Sequence, residues 1–358
     1  MSDEVKVAYY EVSIGGKTYE SKNVGKFYTT SDLNQPDEAR VTISNLHETD
    51  REQCRPGKEL IIKAGYNKPG EVFKGTIFTA VPHFDVGKAW TIELTAYNKL
   101  YKLKEKPHSE TYQQQTIQQM VQKVAGRHGL SANFGKEPPS KPECKWDHMH
   151  QASKSDFDFL QYLALLSNRV FYCVDDTLYF VRRETDKAPI AKLKYGTTGP
   201  DSLDSFTPDV TDANQLGSVT VAAWDYTASD DSAQSVRGKA QTKNSSLGQR
   251  DSKATANEHF ILPVRNTGQA KLAAESLLER RQFEKSTAKG ITGGSHKIKL
   301  AQVIELELGN PSKDGGKYYL SRVIHKFSND TGLAELLGGE GMGGYRTIFE
   351  GKRDVDIG

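Results

Sequence analysis

Alternation of apolar and polar side chains through the first hundred residues constrains the fold of this chain more than any other feature. The alternation runs through residues 39–44 and 60–64 and continues in residues 72–81 and 90–97. Successive side chains of a strand point to opposite faces, so a period of two gives each strand one apolar face. Gly15-Gly16 between two such runs supplies the backbone freedom of a tight hairpin turn. Several short strands at this spacing predict a small barrel or sandwich.

The period then changes from two to 3.6. Apolar side chains recur at i, i+3, i+4 and i+7, which predicts a helix. They are Ile117, Met120, Val121 and Val124. A second helix is predicted from Ser155 to Ser167, because Ser155 is placed to accept a hydrogen bond from the N–H of Asp158 in a capping box. A hairpin is predicted next, with strands over residues 170–174 and 177–181. These elements together predict a small α/β unit.

The strand pattern returns from about Ser205. Strands are predicted over residues 215–223, 303–308, 317–327 and 345–349. A helix is predicted over residues 267–283, where alanines and leucines form an apolar face. Residues 225–257 are rich in Ser, Ala, Lys, Gln and Asp and contain almost no large apolar side chains. We therefore predict a long exposed loop there.

The two β-rich ends of the chain resemble each other. Residues 60–84 contain an apolar strand, a turn and a longer aromatic strand, and residues 304–327 repeat that order. Each segment is followed by a strand that begins near an aromatic residue, Trp90 or Tyr345. Because any two antiparallel hairpins share these features, the likeness alone leaves an unrelated pair of hairpins open. A true repeat means one barrel, an insertion and a second copy of the barrel.

We therefore predict a mainly β protein with an α/β insertion, in which two related tube-like β-barrel domains flank a small α/β unit. The predicted boundaries place the first barrel in residues 1–104, the insertion domain in residues 105–203 and the second barrel in residues 204–358. The second barrel includes the helix over residues 267–283 and the loop over residues 225–257.

Composition argues against several functional classes. The 358 residues contain 48 Lys and Arg against 46 Asp and Glu, a net charge of +2 with the signs interspersed, which is unlike a dedicated nucleic-acid binder. No run approaches the ~18 consecutive apolar residues of a membrane span, and the acidic start at residues 1–4 is unlike a signal peptide. Three cysteines at unrelated spacings are typical of reduced thiols. We expect a protein that is made and kept in the cytoplasm.

Two candidate constellations contain Cys144. Cys144, His148 and His150 are possible zinc ligands, but a fourth ligand at motif spacing is missing. A nucleophilic pair of Cys144 with His128 or His148 lacks an orienting third group and an oxyanion hole. A plain loop is the simpler interpretation of both.

Carboxylates, glycines and lysines suggest three other kinds of site. Asp156 and Asp158 resemble a pair of glycosidase carboxylates, but two residues apart on a helix they point in different directions, and capping explains Asp158. Gly338–Gly344 lacks the Lys-Ser/Thr end of a phosphate loop and is interpreted as a flexible hairpin tip. Lysines with alternating spacing could touch DNA, but a solvated strand face is the simpler interpretation. They are Lys99, Lys102, Lys104 and Lys106. We assign no catalytic, cofactor-binding or metal-binding residue and expect no sequence-specific nucleic-acid binding.

Four segments, in the same order along nearly the whole chain, carry a family resemblance. They are Glu93–Leu103, Ala125–Leu130, Gln151–Ala164 with Asp175–Phe180, and a C-terminal set of Ala273-Ala274, Arg280-Arg281, Gly290 and Tyr319–His325. In this order they resemble the late control gene D family of phage baseplate hub proteins, and the hub part of VgrG spike proteins. Lys154, Tyr162 and Asn168 depart from the Glu, Arg and Gly that are common in that family. The run Gly338–Gly344 interrupts the last hairpin.

The resemblance implies a mechanical role and no enzymatic one. Proteins of this family form homotrimers in which two tube-like barrels per chain make a ring of six, which joins a hexameric tail tube to a trimeric spike. The implied partners are the spike protein, the tail tube or tube-initiator protein and other baseplate proteins, with no cofactor and no membrane span. Closure of the ring would remove exposed strand edges.

The sequence ends at Gly358, soon after the second β region, without an OB-like domain or a β-helical repeat. We therefore expect a hub whose spike is a separate polypeptide. It would assemble in the cytoplasm and become part of a virion or a phage-tail-like particle, whether phage, tailocin or another contractile injection system. Two alternatives stay open: a tail-associated peptidoglycan hydrolase, and a VgrG-like secretion component that delivers cargo.

Overall fold

The computed structural model contains two compact units, between which the chain passes several times. It describes residues 8–19, 22–44, 52–66, 68–84, 86–87, 90–136, 145–197, 201–210, 216–224, 235–241, 256–262, 264, 267–283, 286–309, 314–328 and 344–353. Unit 1 comprises Met1–Tyr101, Lys187–Thr207 and Ala288–Gly351. Unit 2 comprises Lys102–Asp186, Pro208–Thr287 and Lys352–Gly358. The domain boundaries after residues 104 and 203 stay a prediction.

Seven strands form the first β region of unit 1. They are β1 (Ala8–Ile14), β2 (Lys17–Tyr19), β3 (Val24–Asp32), β4 (Glu38–Ser44), β5 (Glu59–Tyr66), β6 (Gly70–His83) and β7 (Thr91–Tyr97). The predicted hairpin turn is confirmed, with positive φ angles at Gly15 and Gly16 between β1 and β2. The strands follow the order β3-β4-β7-β6-β5-β1-β2 and wrap around one apolar core. We call this region the first barrel.

Six strands form the second β region of unit 1. They are β13 (Lys192–Tyr195), β14 (Ser202–Val210), β18 (Ser286–Gly293), β19 (Val303–Glu307), β20 (Gly316–Ser328) and β21 (Gly344–Arg353). The order β19-β13-β14-β18-β21-β20 closes on itself, because β19 also pairs with β20. A separate apolar core fills this ring, which we call the second barrel. The likeness between the two ends of the sequence corresponds to strands β5-β6-β7 and β19-β20-β21. In each set, strands that are consecutive in the sequence are neighbours in the sheet.

Unit 2 supplies the α/β part of the fold. Its elements are a 3₁₀ helix (Lys99–Lys104) at its start, β8 (Pro107–Thr116), α1 (Ile117–Arg127), β9 (Ser131–Asn133), β10 (Lys145–Ser155), α2 (Asp156–Ser167), β11 (Val170–Val174), β12 (Thr177–Val181), β15 (Ser218–Trp224), β16 (Ser235–Gln241), β17 (Asn257–Ile261) and α3 (Thr267–Phe283). Three small sheets, β8 with β10, β9 with β12 and β11, and β15 with β16 and β17, accompany the helices. The predicted fold class is confirmed: the protein is mainly β, with two barrels and an α/β unit.

Two local expectations need correction. Part of the predicted loop over residues 225–257 is strand β16, which pairs along its whole length with β15. Cross-strand hydrogen bonds satisfy a polar backbone even where apolar side chains are scarce, so the composition of this segment was misleading. Residues 225–234 and 242–255 of that loop lie outside the described residues. Lys99, Lys102 and Lys104 lie on the 3₁₀ helix and not on a strand face.

The helix predicted over residues 267–283 is α3, with the same bounds. Of the helices that the structure describes, none is long and apolar enough to cross a membrane.

Candidate assembly site

The two barrels are joined edge to edge within unit 1. Strand β20 of the second barrel runs antiparallel to β3 of the first, from Arg322 opposite Asp32 to Ser328 opposite Lys26. This pairing, which we call the seam, merges the two barrels into one sheet of thirteen strands. Cross-strand hydrogen bonds satisfy the edge groups of both strands, so neither barrel offers a free strand edge there.

Aromatic rings lie behind the seam. Phe27 of β3 and Phe327 of β20 are register partners with ring centroids 6.0 Å apart. The ring of Tyr10 lies 4.0 Å from that of Phe327, and its hydroxyl donates a hydrogen bond to the Val24 carbonyl at 3.1 Å. Phe327 and Tyr345 belong to the core of the first barrel although they come from β20 and β21. Shared aromatic packing therefore reinforces the backbone pairing.

Charged side chains form ion pairs at one end of the seam. Arg322 Nε lies 3.0 Å from Asp32 Oδ1, and Arg322 Nη1 lies 3.6 Å from Glu350 Oε1. Burial raises the pKa of Asp32, while the Arg322 charge acts in the opposite direction. Ion pairs with this much exposure contribute little to the free energy of unfolding. We therefore expect them to favour the correct register of β3 against β20 and to add little to the stability of the seam.

One histidine is buried in β20 beside the seam. His325 Nδ1 lies 2.9 Å from the Tyr345 hydroxyl and 3.1 Å from Thr347 Oγ1. Burial lowers the pKa of His325 to about 3, so the ring is neutral at physiological pH. Burial also raises the pKa of Tyr345. This neutral group is suited to packing and not to proton transfer near neutral pH.

A carboxyl group lies where the first barrel leads into the 3₁₀ helix. Asn98 Nδ2 donates a hydrogen bond to Asp37 Oδ2 at 2.9 Å, and Asn98 Oδ1 accepts from the Leu100 N–H at 3.2 Å. Burial raises the pKa of Asp37 to about 7, against the opposing effect of hydrogen bonds from Ser31 and Asn98. The partly buried Asp37 and the buried His325 are thus two titratable groups whose pKa values move in directions that both favour the neutral form.

Unit 2 holds a second polar cluster around the buried carboxylate of Asp156. Asp156 Oδ1 accepts hydrogen bonds from Arg127 Nη2 at 2.7 Å and from Gln151 Nε2 at 2.8 Å. Asp156 Oδ2 accepts from His128 Nε2 at 2.8 Å. His128 and Asp156, which the sequence analysis considered in different sites, therefore belong to one network.

The network continues along β8. Arg127 Nη2 donates to the Tyr112 hydroxyl at 3.0 Å, and that hydroxyl donates to Gln151 Oε1 at 3.1 Å. Burial raises the pKa of Tyr112 to about 12. Burial acts to raise the pKa of Glu110, but its contacts with Lys123 and Arg127 outweigh this and lower it.

This network is built to hold α1 and α2 together. Asp156 is the first residue of α2, where a negative charge complements the helix dipole. Both of its oxygens already accept hydrogen bonds from the protein, which leaves the carboxylate poorly placed to act as a general base. Asp158 has the predicted capping role: its N–H donates to Ser155 Oγ at 3.1 Å. Ser155 Oγ also lies 2.6 Å from Asp158 Oδ2.

The structure separates the remaining candidates. His148 and His150 are exposed on β10, where His150 Nδ1 lies 2.9 Å from Thr111 Oγ1. In the part of the chain that the structure describes, no group of three or more His, Cys, Asp or Glu side chains could hold a metal ion. Cys144 and residues 338–343 lie outside the described residues, while Gly344 begins β21 with a φ of 100°. Lys104 Nζ lies 4.3 Å from the centre of the Phe157 ring, and burial lowers its pKa.

Comparison with solved structures identifies the class of fold. The tail protein from Neisseria meningitidis MC58 and the 43 kDa tail protein of prophage MuSo2 from Shewanella oneidensis each superpose with a TM-score of 0.69 and 13% identity. These matches cover 97% of this chain in both cases and 97% and 98% of the respective relatives. The E. coli c3393 protein, described as a component of the type VI secretion system, matches with a TM-score of 0.57 and 12% identity, over 94% of this chain and 74% of that one. The chain thus has the fold of phage tail proteins.

The sequence itself defines the family. The family model described as the Alg8 N-terminal domain matches residues 9–329, and the chain belongs to this family. The matching model is not that of the late control gene D family. No curated protein matches the sequence.

Proposed function

We propose that this protein is the structural baseplate hub of a contractile tail or injection particle, a hub of the late control gene D type. In this role a homotrimer joins a hexameric tail tube to a separate trimeric spike and contacts other baseplate proteins. The seam carries the proposal, because it fixes two similar barrels side by side in every chain. Three chains then provide six barrels, the number that a hexameric tube needs.

The likeness to tail proteins and to a type VI secretion component supports the general class of particle. It is a likeness of fold, so the trimer, the spike and the tube are parts of the proposal. The hub would assemble in the cytoplasm and end in the finished particle.

The two alternatives require properties that the described sites do not favour. A peptidoglycan hydrolase needs an acid and a base that can reach a substrate, whereas the Asp156 carboxylate already accepts three hydrogen bonds within the protein. A VgrG-like component that delivers cargo shares the mechanical role of the hub and differs in what is attached to it.

Light scattering on the full chain, alone and with its spike protein, tests the proposal. We expect a mass of three chains, at least when the spike is present. A monomer in the presence of spike and tube would overturn the adaptor role. Incubation with purified cell walls separates the hydrolase: the hub releases no muropeptides, and release that is lost on replacing Asp156 by Asn would favour the enzyme.

A further inference from the structure

Exposed apolar side chains in unit 1 are concentrated on two faces. Among the described residues of that unit, seven large apolar side chains are exposed. They are Tyr9, Phe78, Val81, Phe84, Val86, Ile190 and Tyr195. Four of them lie on the second half of β6 or in the turn that follows it, and two flank β13. Scattered single residues would need no explanation, but a cluster marks an interaction surface.

The β6 face is defined by Phe78 and Val81, which point away from the core, and by Phe84 and Val86 at the end of the hairpin. Their exposed fractions are 50%, 49%, 68% and 104%. Side chains of this size at these exposures present on the order of 400 Å² of apolar surface, about half of the ~800 Å² that one partner contributes to a standard interface. Tyr97 and Tyr101 border it, with ring centroids 5.9 Å and 5.0 Å from that of Phe78.

The same half of β6 is also an open strand edge among the described residues. Strand β5 pairs with β6 only from Gly70 to Thr76, whereas β7 pairs with it from Thr76 to His83. Pro82 lies in this stretch, and proline is a residue that protects edge strands from indiscriminate pairing. The β6 face is therefore apolar, and Pro82 limits its pairing with the strand edges of other molecules.

Both faces lie on strands that are far from the seam in the strand order. In the first barrel β6 is the middle strand of seven, three strands away from β3. In the closed second barrel β14 is three strands away from β20 in either direction, and β13 is its neighbour. Ile190 precedes β13, and Tyr195 ends it opposite Leu203 of β14. We call the surface around these two exposed side chains the β13–β14 face.

We infer that the β6 face of one chain packs against the β13–β14 face of a second copy of the same chain. This inference rests on the proposed trimeric hub. The intrachain seam uses one side of each barrel, so a closed ring of alternating barrels must use the opposite sides between chains. Those sides are where the exposed apolar side chains lie. The contact is heterologous, and three copies close it.

Site-directed photo-crosslinking on the full-length chain tests this contact. Phe78 is replaced by the photoreactive amino acid benzoylphenylalanine, with the same replacement at Val174, an exposed apolar residue of unit 2, as the matched control. The Phe78 probe is expected to give a product of twice the chain mass, with the attachment within residues 187–207. Crosslinking only to added spike or tube protein, or equal self-crosslinking from Val174, would overturn the inference.

A pair of variants separates this inference from the proposed function. Phe78→Ser with Val81→Ser should raise the protein concentration at which the trimer half-dissociates at least tenfold, with an unchanged circular dichroism spectrum. Val174→Ser with Ile261→Ser removes two exposed apolar side chains of unit 2 and should leave that concentration unchanged. A wild-type trimer that both variants preserve would contradict the β6 contact and leave the hub intact. A wild-type chain that never trimerises with its spike would contradict the hub itself.

Discussion

Each barrel of unit 1 contains a similar run of three consecutive strands, but the two barrels draw their strands from the chain in different ways. The first barrel takes all seven strands from one continuous stretch, Ala8–Tyr97. The second takes β13 and β14 from before the last excursion into unit 2, and its other four strands from after it. Strand β13 pairs in parallel with both β14 and β19, which lie on either side of that excursion. Similar runs of strands therefore occur in a region of continuous sequence and in a barrel closed by distant segments.

Both barrels contain glycines around which the packing is tight. The second barrel has the smaller core, and two of its glycines face aromatic rings directly. A Cβ on Gly290 would lie 2.2 Å from Phe349 Cζ, and one on Gly294 would lie 1.9 Å from Tyr345 Cδ1. In the first barrel a Cβ on Gly75 would lie 2.4 Å from the Tyr97 carbonyl oxygen, whereas one on Gly25 would meet nothing closer than 3.8 Å. We therefore expect the sensitivity to added volume to differ between positions within each barrel.

Phe349→Ala should have the largest effect. The ring is 1% exposed and fills the ten-residue core of the second barrel, so its loss should cost about 3–5 kcal/mol in the free energy of unfolding. Urea unfolding followed by tyrosine fluorescence measures it. A loss below about 1 kcal/mol would contradict the close packing of this ring.

Gly290→Ala should cost about 3 kcal/mol, because the new methyl group can be accommodated only if the Phe349 ring moves. Gly25→Ala serves as the matched control in the first barrel and should change stability by less than about 0.5 kcal/mol. Thermal unfolding of both variants gives the comparison. Equal effects would show that contact with the Phe349 ring does not decide the cost of a methyl group at Gly290.

Acidification should affect the two barrels in opposite directions. The pKa of His325 in the second barrel is lowered to about 3, so the stability of its neutral form is present above pH 6.5 and is lost as the pH falls. The loss is about 2 kcal/mol at pH 5. The pKa of Asp37 in the first barrel is raised to about 7, so its contribution is complete below pH 4 and is lost as the pH rises through 7.

These two effects nearly cancel between pH 7 and pH 5. Asp37→Asn removes the effect of Asp37 and leaves that of His325. Between pH 7 and pH 5 the free energy of unfolding of this variant should therefore fall by about 2 kcal/mol more than that of the wild type. His325→Gln should show the opposite change. Urea unfolding at both pH values tests this, and variants with the pH dependence of the wild type would refute the assignment of these groups.

Gly16→Ala should have a small effect, about 1 kcal/mol, because the residue has a φ of 87° but open space around its Cα. It lies in the first barrel, where the strain is confined to one turn. Its thermal unfolding should resemble that of the wild type with a small downward shift. A loss as large as that of Gly290→Ala would contradict the view that crowding costs more than backbone conformation at these two glycines.

Local elements could be predicted from the sequence because their signals are local. The hairpin of Val170–Val174 and Thr177–Val181 has the predicted bounds, and α2 begins after the predicted cap at Ser155. Helix α1 begins with a capping box formed by Thr116 and Gln119. It has the same sequence signature, but it is not among the features predicted from the sequence.

Tertiary partners could not be predicted in this way. Nothing in the local pattern pairs β3 with β20, almost three hundred residues away, and β20 also pairs with β19 and β21. The donors to Asp156 come from Arg127, His128 and Gln151, and only the fold brings α1 close to the start of α2. Gly290, which the sequence resemblance singled out, gains its physical reason only from the ring of Phe349.

Electron microscopy of the purified full-length chain bound to its spike tests the central claim most directly. The account predicts class averages with threefold symmetry and six similar lobes around one axis, two lobes for each chain. Particles with a single pair of lobes, or rings with any other number, would contradict the proposal that two seam-joined barrels per chain adapt a trimeric spike to a hexameric tube.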